Sequence, residues 1–162
     1  MKALRLATLA CATLMIAACG VGKPIPQANT YVIEPPPPAP AAARRTEILR
    51  VGNVRVAAAF AGRSLVYRTG EVQYAPDFYN EFMAEPGSLL GSAIATWLNQ
   101  AGPFQAAAQP GTPLSSSHVL DAVVTELYGD FRTNRPPEAV MTIQFSLVDL
   151  RGIKPTVTLE RT

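Results

Sequence analysis

Most protein chemistry runs through histidine, cysteine and clustered carboxylates, and this sequence is poor in all three. It holds one histidine, His118. A Ser-His-Asp nucleophilic triad would have to use it. Ser115, Ser116 and Ser117 precede it directly, and chain neighbours do not make a triad. His118 therefore reads as a structural residue at a loop–strand junction. Both cysteines, Cys11 and Cys19, lie in the first 19 residues. The rest of the chain has no thiol, no disulfide and no cysteine-based metal site. One histidine alone does not make a zinc cage, so neither metal nor cofactor is expected. No GxGxxG, P-loop or HExxH motif occurs. Asp77, Glu81 and Glu85 recur every four residues and would share one face of a helix. A solvated acidic face is favoured there over paired acid–base work. The expectation is a protein that is not an enzyme, and the residue left with chemistry to offer is Cys19.

Cys19 closes a leader. Lys2 and Arg5 give residues 1–5 a positive charge, and residues 6–18 form an apolar run. That run fits a signal peptide core of ~7–15 residues. It is short of the ~20 residues that a membrane-spanning helix needs. The run ends in Ile16-Ala17-Ala18-Cys19, an aliphatic residue, two small ones and a cysteine. This resembles the lipobox of bacterial lipoproteins. The small residues let a peptidase groove approach the backbone, and the thiol is the nucleophile that receives a diacylglyceryl group. Cys11 is a poorer candidate, because it lies too close to Arg5. Residues 1–18 are thus read as a signal peptide and Cys19 as the lipidated N-terminus. Gly20 follows where an aspartate would favour inner-membrane retention, which points to the outer membrane of a Gram-negative envelope, facing the periplasm.

The rest of the chain has the size and charge of one ordinary domain. The whole sequence has 162 residues and a formal net charge of +2, and without Lys2 and Arg5 the basic and acidic residues balance. No basic stripe suggests nucleic acid. Arg44-Arg45 reads as a solvated linker pair. Residues 20–29 contain Gly22, Pro24 and Pro26 and read as a flexible tether. Four consecutive prolines, Pro35 to Pro38, favour a stiff extended connector. Residues 30–162 form a single domain.

The elements that would carry a site can be read from periodicity. Residues 30–33, 47–56 and 64–68 are β-branched runs that read as strands, with a shorter one at 71–74. The helix begins around Pro86-Gly87-Ser88, with Ser88 as the expected N-cap. Leu90, Ile94, Trp97, Leu98 and Ala101 make one apolar stripe, on which Trp97 is expected in the core. Gly102 and Pro103 end the helix. Residues 104–108, 119–128 and 140–150 read as strands. In the last, Met141, Ile143, Phe145 and Leu147 point one way, and Thr142, Gln144 and Ser146 the other. Residues 133–137 turn between the last two. Val157 and Leu159 mark a final strand. The expected fold class is α+β: an antiparallel β-sheet with a C-terminal β-meander and one main amphipathic helix packed on one face. The chain stops at Thr162 in what reads as mid-strand, so either another subunit covers the sheet or the sequence is a shortened form.

Five aromatic residues, Tyr67, Tyr74, Phe78, Tyr79 and Phe82, fall close together. They either cap the sheet core or form a surface for a protein or an acyl chain. The order of local patterns is informative here. Tyr31-Val32-Ile33-Glu34-Pro35 follows the lipobox. Arg63-Ser64-Leu65-Val66-Tyr67-Arg68 comes next, then Phe78-Tyr79-Asn80-Glu81-Phe82 and Glu85-Pro86 before the helix. Val148-Asp149-Leu150-Arg151-Gly152 closes a strand. This order resembles the ABC-type transport auxiliary lipoproteins, the lipoprotein partners of MCE-type lipid transport systems, over residues 30–162. Members usually continue past the third meander strand into a further helix, and this sequence does not.

The resemblance implies an oligomeric lipoprotein at the outer-membrane end of the system. It would dock an MCE-domain protein that works with an ABC permease and ATPase. Cys19 would carry the lipid, and Tyr67, Arg68, Phe78, Tyr79 and Phe82 would form the partner surface. Two alternatives stand beside this: a lipoprotein that itself carries a lipid or other apolar ligand, and an outer-membrane assembly lipoprotein.

Overall fold

The computed structural model describes residues 27–36, 38–39, 45–133, 135–152 and 156–161, with 101 and 156–161 described by their backbone alone. The leader, Cys19 and most of the tether lie outside the described residues.

One long strand organises the sheet. β1 spans Asn29–Tyr31, β2 Ile48–Val56, β3 Ser64–Arg68 and β4 Tyr74–Phe82; then come β5 Ala106–Ala108, β6 His118–Asp130, β7 Glu138–Asp149 and β8 Thr156–Arg161. β6 is rich in valine and leucine, which suit a half-buried pleated surface. One edge of β6 pairs with antiparallel β7 along its full length, from His118↔Asp149 to Asp130↔Glu138. β7 pairs with antiparallel β8. This is the expected meander.

The other edge of β6 is shared. β2 lies parallel to its first half, from Leu49↔His118 to Val56↔Val124. β3 lies parallel to its end, at Tyr67↔Gly129 and Arg68↔Asp130. A 3₁₀ turn at Ala58–Phe60 connects the two. β4 pairs antiparallel to β3, β1 pairs parallel to β4, and β5 pairs parallel to β2. The eight strands therefore form a mixed sheet, and the α+β class with its meander holds. The parallel pairs arise because long connections join those strands, whereas tight turns enforce antiparallel pairing.

The helix α1 spans Pro86–Ala101 and packs on β2 and β5. Pro86 costs no hydrogen bond in the first turn, where its N–H would be unpaired in any case. Glu85 occupies the N-cap, so Ser88 is not the cap but lies inside the first turn, its N–H bonded to the Glu85 carbonyl at 3.0 Å. Gly102 ends the helix in an extended conformation, its N–H bonded to the Leu98 carbonyl at 2.7 Å. The approach to β2 is close. A Cβ on Gly87 would stand 2.6 Å from the Val54 carbonyl oxygen, and one on Gly91 2.9 Å from Pro110 Cγ.

The core lies between α1 and the sheet. Leu49, Phe104 and Ala107 form a buried cluster against which Leu98, Leu120 and Leu147 pack. Asn99 fastens α1 to β5, accepting from the Ala107 N–H at 2.9 Å and donating to the Ala107 carbonyl.

Candidate functional site

The segment 77–82 is strand, not the helix on which Asp77, Glu81 and Glu85 would share a face. Its register with β3 is broken. Val66 pairs with Pro76, yet Ser64 pairs with Glu81, so two steps along β3 match five along β4. The surplus residues form a bulge, the device by which sheets re-aim side chains. Asp77 holds it together. One carboxylate oxygen accepts the N–H groups of Tyr79 and Asn80, at 2.7 and 3.1 Å. The other accepts the Tyr67 hydroxyl and the Asn80 amide, both at 2.7 Å. These bonds, that from the Tyr79 N–H foremost, lower the Asp77 pKa to about 2. The bond to Asp77 raises that of Tyr67 to about 12. Asn80 reaches on to β1, accepting from Tyr31 and Asn29 at 3.1 Å each.

The bulge turns Phe78 and Tyr79 outward, and Phe78 is 86% exposed. The five residues expected to form a partner surface therefore divide. Phe78 and Tyr79 project into solvent. Tyr67 faces inward, bonded to Asp77 and edge-on to Phe131 at 5.0 Å. Gly129 leaves room for that pair, since a Cβ there would meet Phe131 at 2.8 Å. Arg68 donates to the Glu71 carbonyl at 2.7 Å and lies over the Tyr74 ring at 5.7 Å and the Tyr128 ring at 6.0 Å. Phe82 is partly buried, and its carbonyl accepts the Arg63 guanidinium at 3.0 Å. Glu81 pairs with Arg63, and Glu85 occupies the N-cap position of α1 without a capping bond from its side chain.

A second feature was not foreseen from the sequence. An open groove of about 480 Å³ runs between α1 and β7. Leu90, Ala93, Ile94 and Trp97 form its helix wall, and Met141, Ile143 and Phe145 its sheet wall. Ile33 and Pro35, next to the tether, close one side. Trp97 is thus not in the core: it is 40% exposed, with its indole N–H donated to the Pro36 carbonyl at 3.2 Å. Leu90 on the same stripe is buried and Leu98 packs on the core, so Trp97 alone of these is exposed, while Gly87 and Gly91 lie against the neighbouring strand and loop. Their spacing of four was the signal available in the sequence.

His118 is buried against Phe104, with ring centroids 5.3 Å apart. Its Nδ1 lies 3.0 Å from the Ser117 hydroxyl, which donates to the Ile48 carbonyl at 3.1 Å. Nε2 faces Asp149 at 3.8 Å. The Arg151 guanidinium holds the Asp149 carboxyl well below the usual carboxylate range. This cluster ties β2, β6 and β7 together. Among the described residues no group of three or more His, Cys, Asp or Glu side chains could hold a metal.

A mixed sheet, one helix among the described residues and a surface whose distinctive exposed features are apolar define an α+β domain. The chain belongs to the ABC-type transport auxiliary lipoprotein component family, whose sequence model matches residues 31–162. It is thus a lipid-anchored protein of the cell envelope, associated with an ABC transport system. It shares its fold with a crystal structure of a Xanthomonas campestris protein of the DUF330 family, at a TM-score of 0.65 and 15% identity, over 83% of this chain and 72% of that one. A second crystal structure, of an uncharacterized protein, matches at a TM-score of 0.56 and 23% identity, over 75% of this chain and 77% of that one. No curated protein matches the chain.

Proposed function

We propose that this protein is the docking component of an MCE-type ABC lipid transport system, anchored through Cys19 in the outer membrane and facing the periplasm. It carries out no chemistry. Acyl chains on Cys19 hold it at the membrane, since each buried CH₂ adds ~0.8 kcal/mol and several chains together prevent release. The tether sets its reach, and several copies present the aromatic segment to the MCE-domain protein. The permease and ATPase of that system supply the energy.

One observation carries this reading: a bulge built by Asp77 and Tyr67 holds Phe78 almost wholly in solvent. Large aromatics exposed in this way are characteristic of interface anchors. A photo-crosslinking amino acid placed at Phe78 of the full-length lipoprotein tests it in cells. The expected product is a covalent adduct with an MCE-domain protein. Val72 is 94% exposed on the neighbouring turn and serves as control. Adducts from Val72 equal to those from Phe78, or none with an MCE-domain protein, would overturn the reading.

A further inference from the structure

We infer that residues 29–36 splint the joint between β4 and α1, and that Trp97 is the latch that holds the splint closed. The inference does not rest on the docking reading. It concerns how β3 and β4, the arm that bears the bulge, are held against the helix.

β4 ends at Phe82 and α1 begins at Pro86, so three residues form the joint. A few residues at the end of an element are enough to act as a hinge. Here a second stretch of chain crosses the same place. β1 runs parallel to β4 with Tyr31 beside Phe82, and the Met83 N–H, inside the joint, donates to the Tyr31 carbonyl at 2.8 Å. Asn80 fixes β1 on the arm side, accepting from Asn29 and Tyr31 at 3.1 Å each. The chain then passes to the helix side. Ile33 and Pro35 lie beside Leu89, Ala93 and Trp97, and the Pro36 carbonyl accepts the Trp97 indole N–H at 3.2 Å.

The two paths agree in length. Residues 32–36 reach about 15 Å at ~3.1 Å per residue. α1 rises about 16 Å from Pro86 to Trp97 at 1.5 Å per residue. Pro35 and Pro36 have their φ fixed by their rings, and a residue that precedes proline is held extended. The segment therefore does not coil to take up slack, and a tie at Pro36 fixes where Tyr31 stands.

The helix side is the weaker half. Glu34, Pro35 and Pro36 are exposed, and Ile33 is only partly buried. Prolines have no N–H to offer a ladder. Trp97 supplies the one hydrogen bond from a described residue to residues 32–36. Opening that latch leaves the joint to a single stretch of chain. The arm, which meets β6 at only two residue pairs, then moves relative to α1.

Hydrogen exchange on the full-length protein tests this. Trp97 is the only tryptophan, so its indole N–H gives one signal. That signal is expected to exchange several-fold more slowly than free tryptophan, and an unprotected indole would overturn the latch. Trp97→Phe keeps a ring at a position that is 40% exposed and removes the donor. The Met83 amide, and the Phe131 amide that donates to the Arg68 carbonyl on the arm, should then exchange about two- to tenfold faster, the effect of one net hydrogen bond. Ala122 and Val124 should hold. A Gly-Ser-Gly-Ser insertion after Val32 leaves Trp97 in place but slackens the splint, and should have the same effect. The same insertion after Ala41, beyond the latch, should have none. Equal effects from the two insertions would mean that chain connectivity, not Trp97, ties the arm, and would overturn the inference. So would unchanged Met83 and Phe131 exchange in Trp97→Phe, or acceleration that reaches Ala122 and Val124 equally.

Discussion

Asp77 shows how one side chain can shape a surface. Its two oxygens accept four hydrogen bonds, two from the backbone and two from side chains. Its pKa of about 2 lies below the unfolded value, so its contribution to stability is present above about pH 4 and is lost as the pH falls through 2. Urea unfolding at a series of pH values should show wild type and Asp77→Asn drawing together between pH 4 and 2, with wild type the more stable at pH 7. A constant gap across that range would remove Asp77 as the source. Asn99 acts in the same manner from the exposed side of α1. It serves both backbone groups of Ala107, a residue only 4% exposed. Asn99→Ala should cost about 2 kcal/mol in chemical denaturation, because the stranded N–H and C=O lose their partner. Neither role could be read from the sequence. Asp77 looked like one of three carboxylates on a helix face, since a spacing of four says nothing when the segment is extended.

At the scale of elements, what could be read depended on how local the signal was. Residues 64–68 and the alternating β7 were identifiable because side-chain period and β-branching are local properties. The end of α1 was marked by Gly102-Pro103. The pairing partners of β2 and β3 were not, because a parallel ladder is fixed by a strand some seventy residues away. The placement of Trp97 was misread for a related reason. Leu90 on the expected stripe is buried, but Trp97 is not, and the closest approach of the helix to its neighbours is made by Gly87 and Gly91. Gly87→Ala tests this directly. Alanine raises helix propensity by about 1 kcal/mol. Its Cβ would meet the Val54 carbonyl oxygen at 2.6 Å, a backbone atom that has little freedom to move. The clash should win, leaving a net loss of about 1–3 kcal/mol. Gly62→Ala, where a Cβ meets nothing within 4 Å, should be close to neutral in the same thermal-melt series.

For the molecule as a whole, β6 is the spine, and its two edges are unequally held. The β7 edge is paired throughout, whereas β3 with its partner β4 joins the other edge at two residue pairs. Asp130 reinforces that junction. It is 1% exposed and paired with Arg132 at 2.6 Å, and Arg132 reaches Glu71 on the β3–β4 turn at 3.1 Å. The Phe131 N–H adds a bond to the Arg68 carbonyl at 2.9 Å. A unit attached through so short a ladder should open separately from the core, as partly independent units do in hydrogen exchange. Amides of β3 and β4 should therefore exchange faster than those at Ala122 and Val124, which are among the most buried residues of β6. Arg132→Ala should widen the difference, because it leaves a buried carboxylate without its main partner and frees the turn that carries Glu71. Protection at Ala122 and Val124 should hold. Equal exchange in the two regions would mean that the aromatic bulge is rigidly part of the core. Unequal exchange would mean that Phe78 and Tyr79 are carried on an arm able to adjust to a partner while the groove beneath α1 keeps its shape.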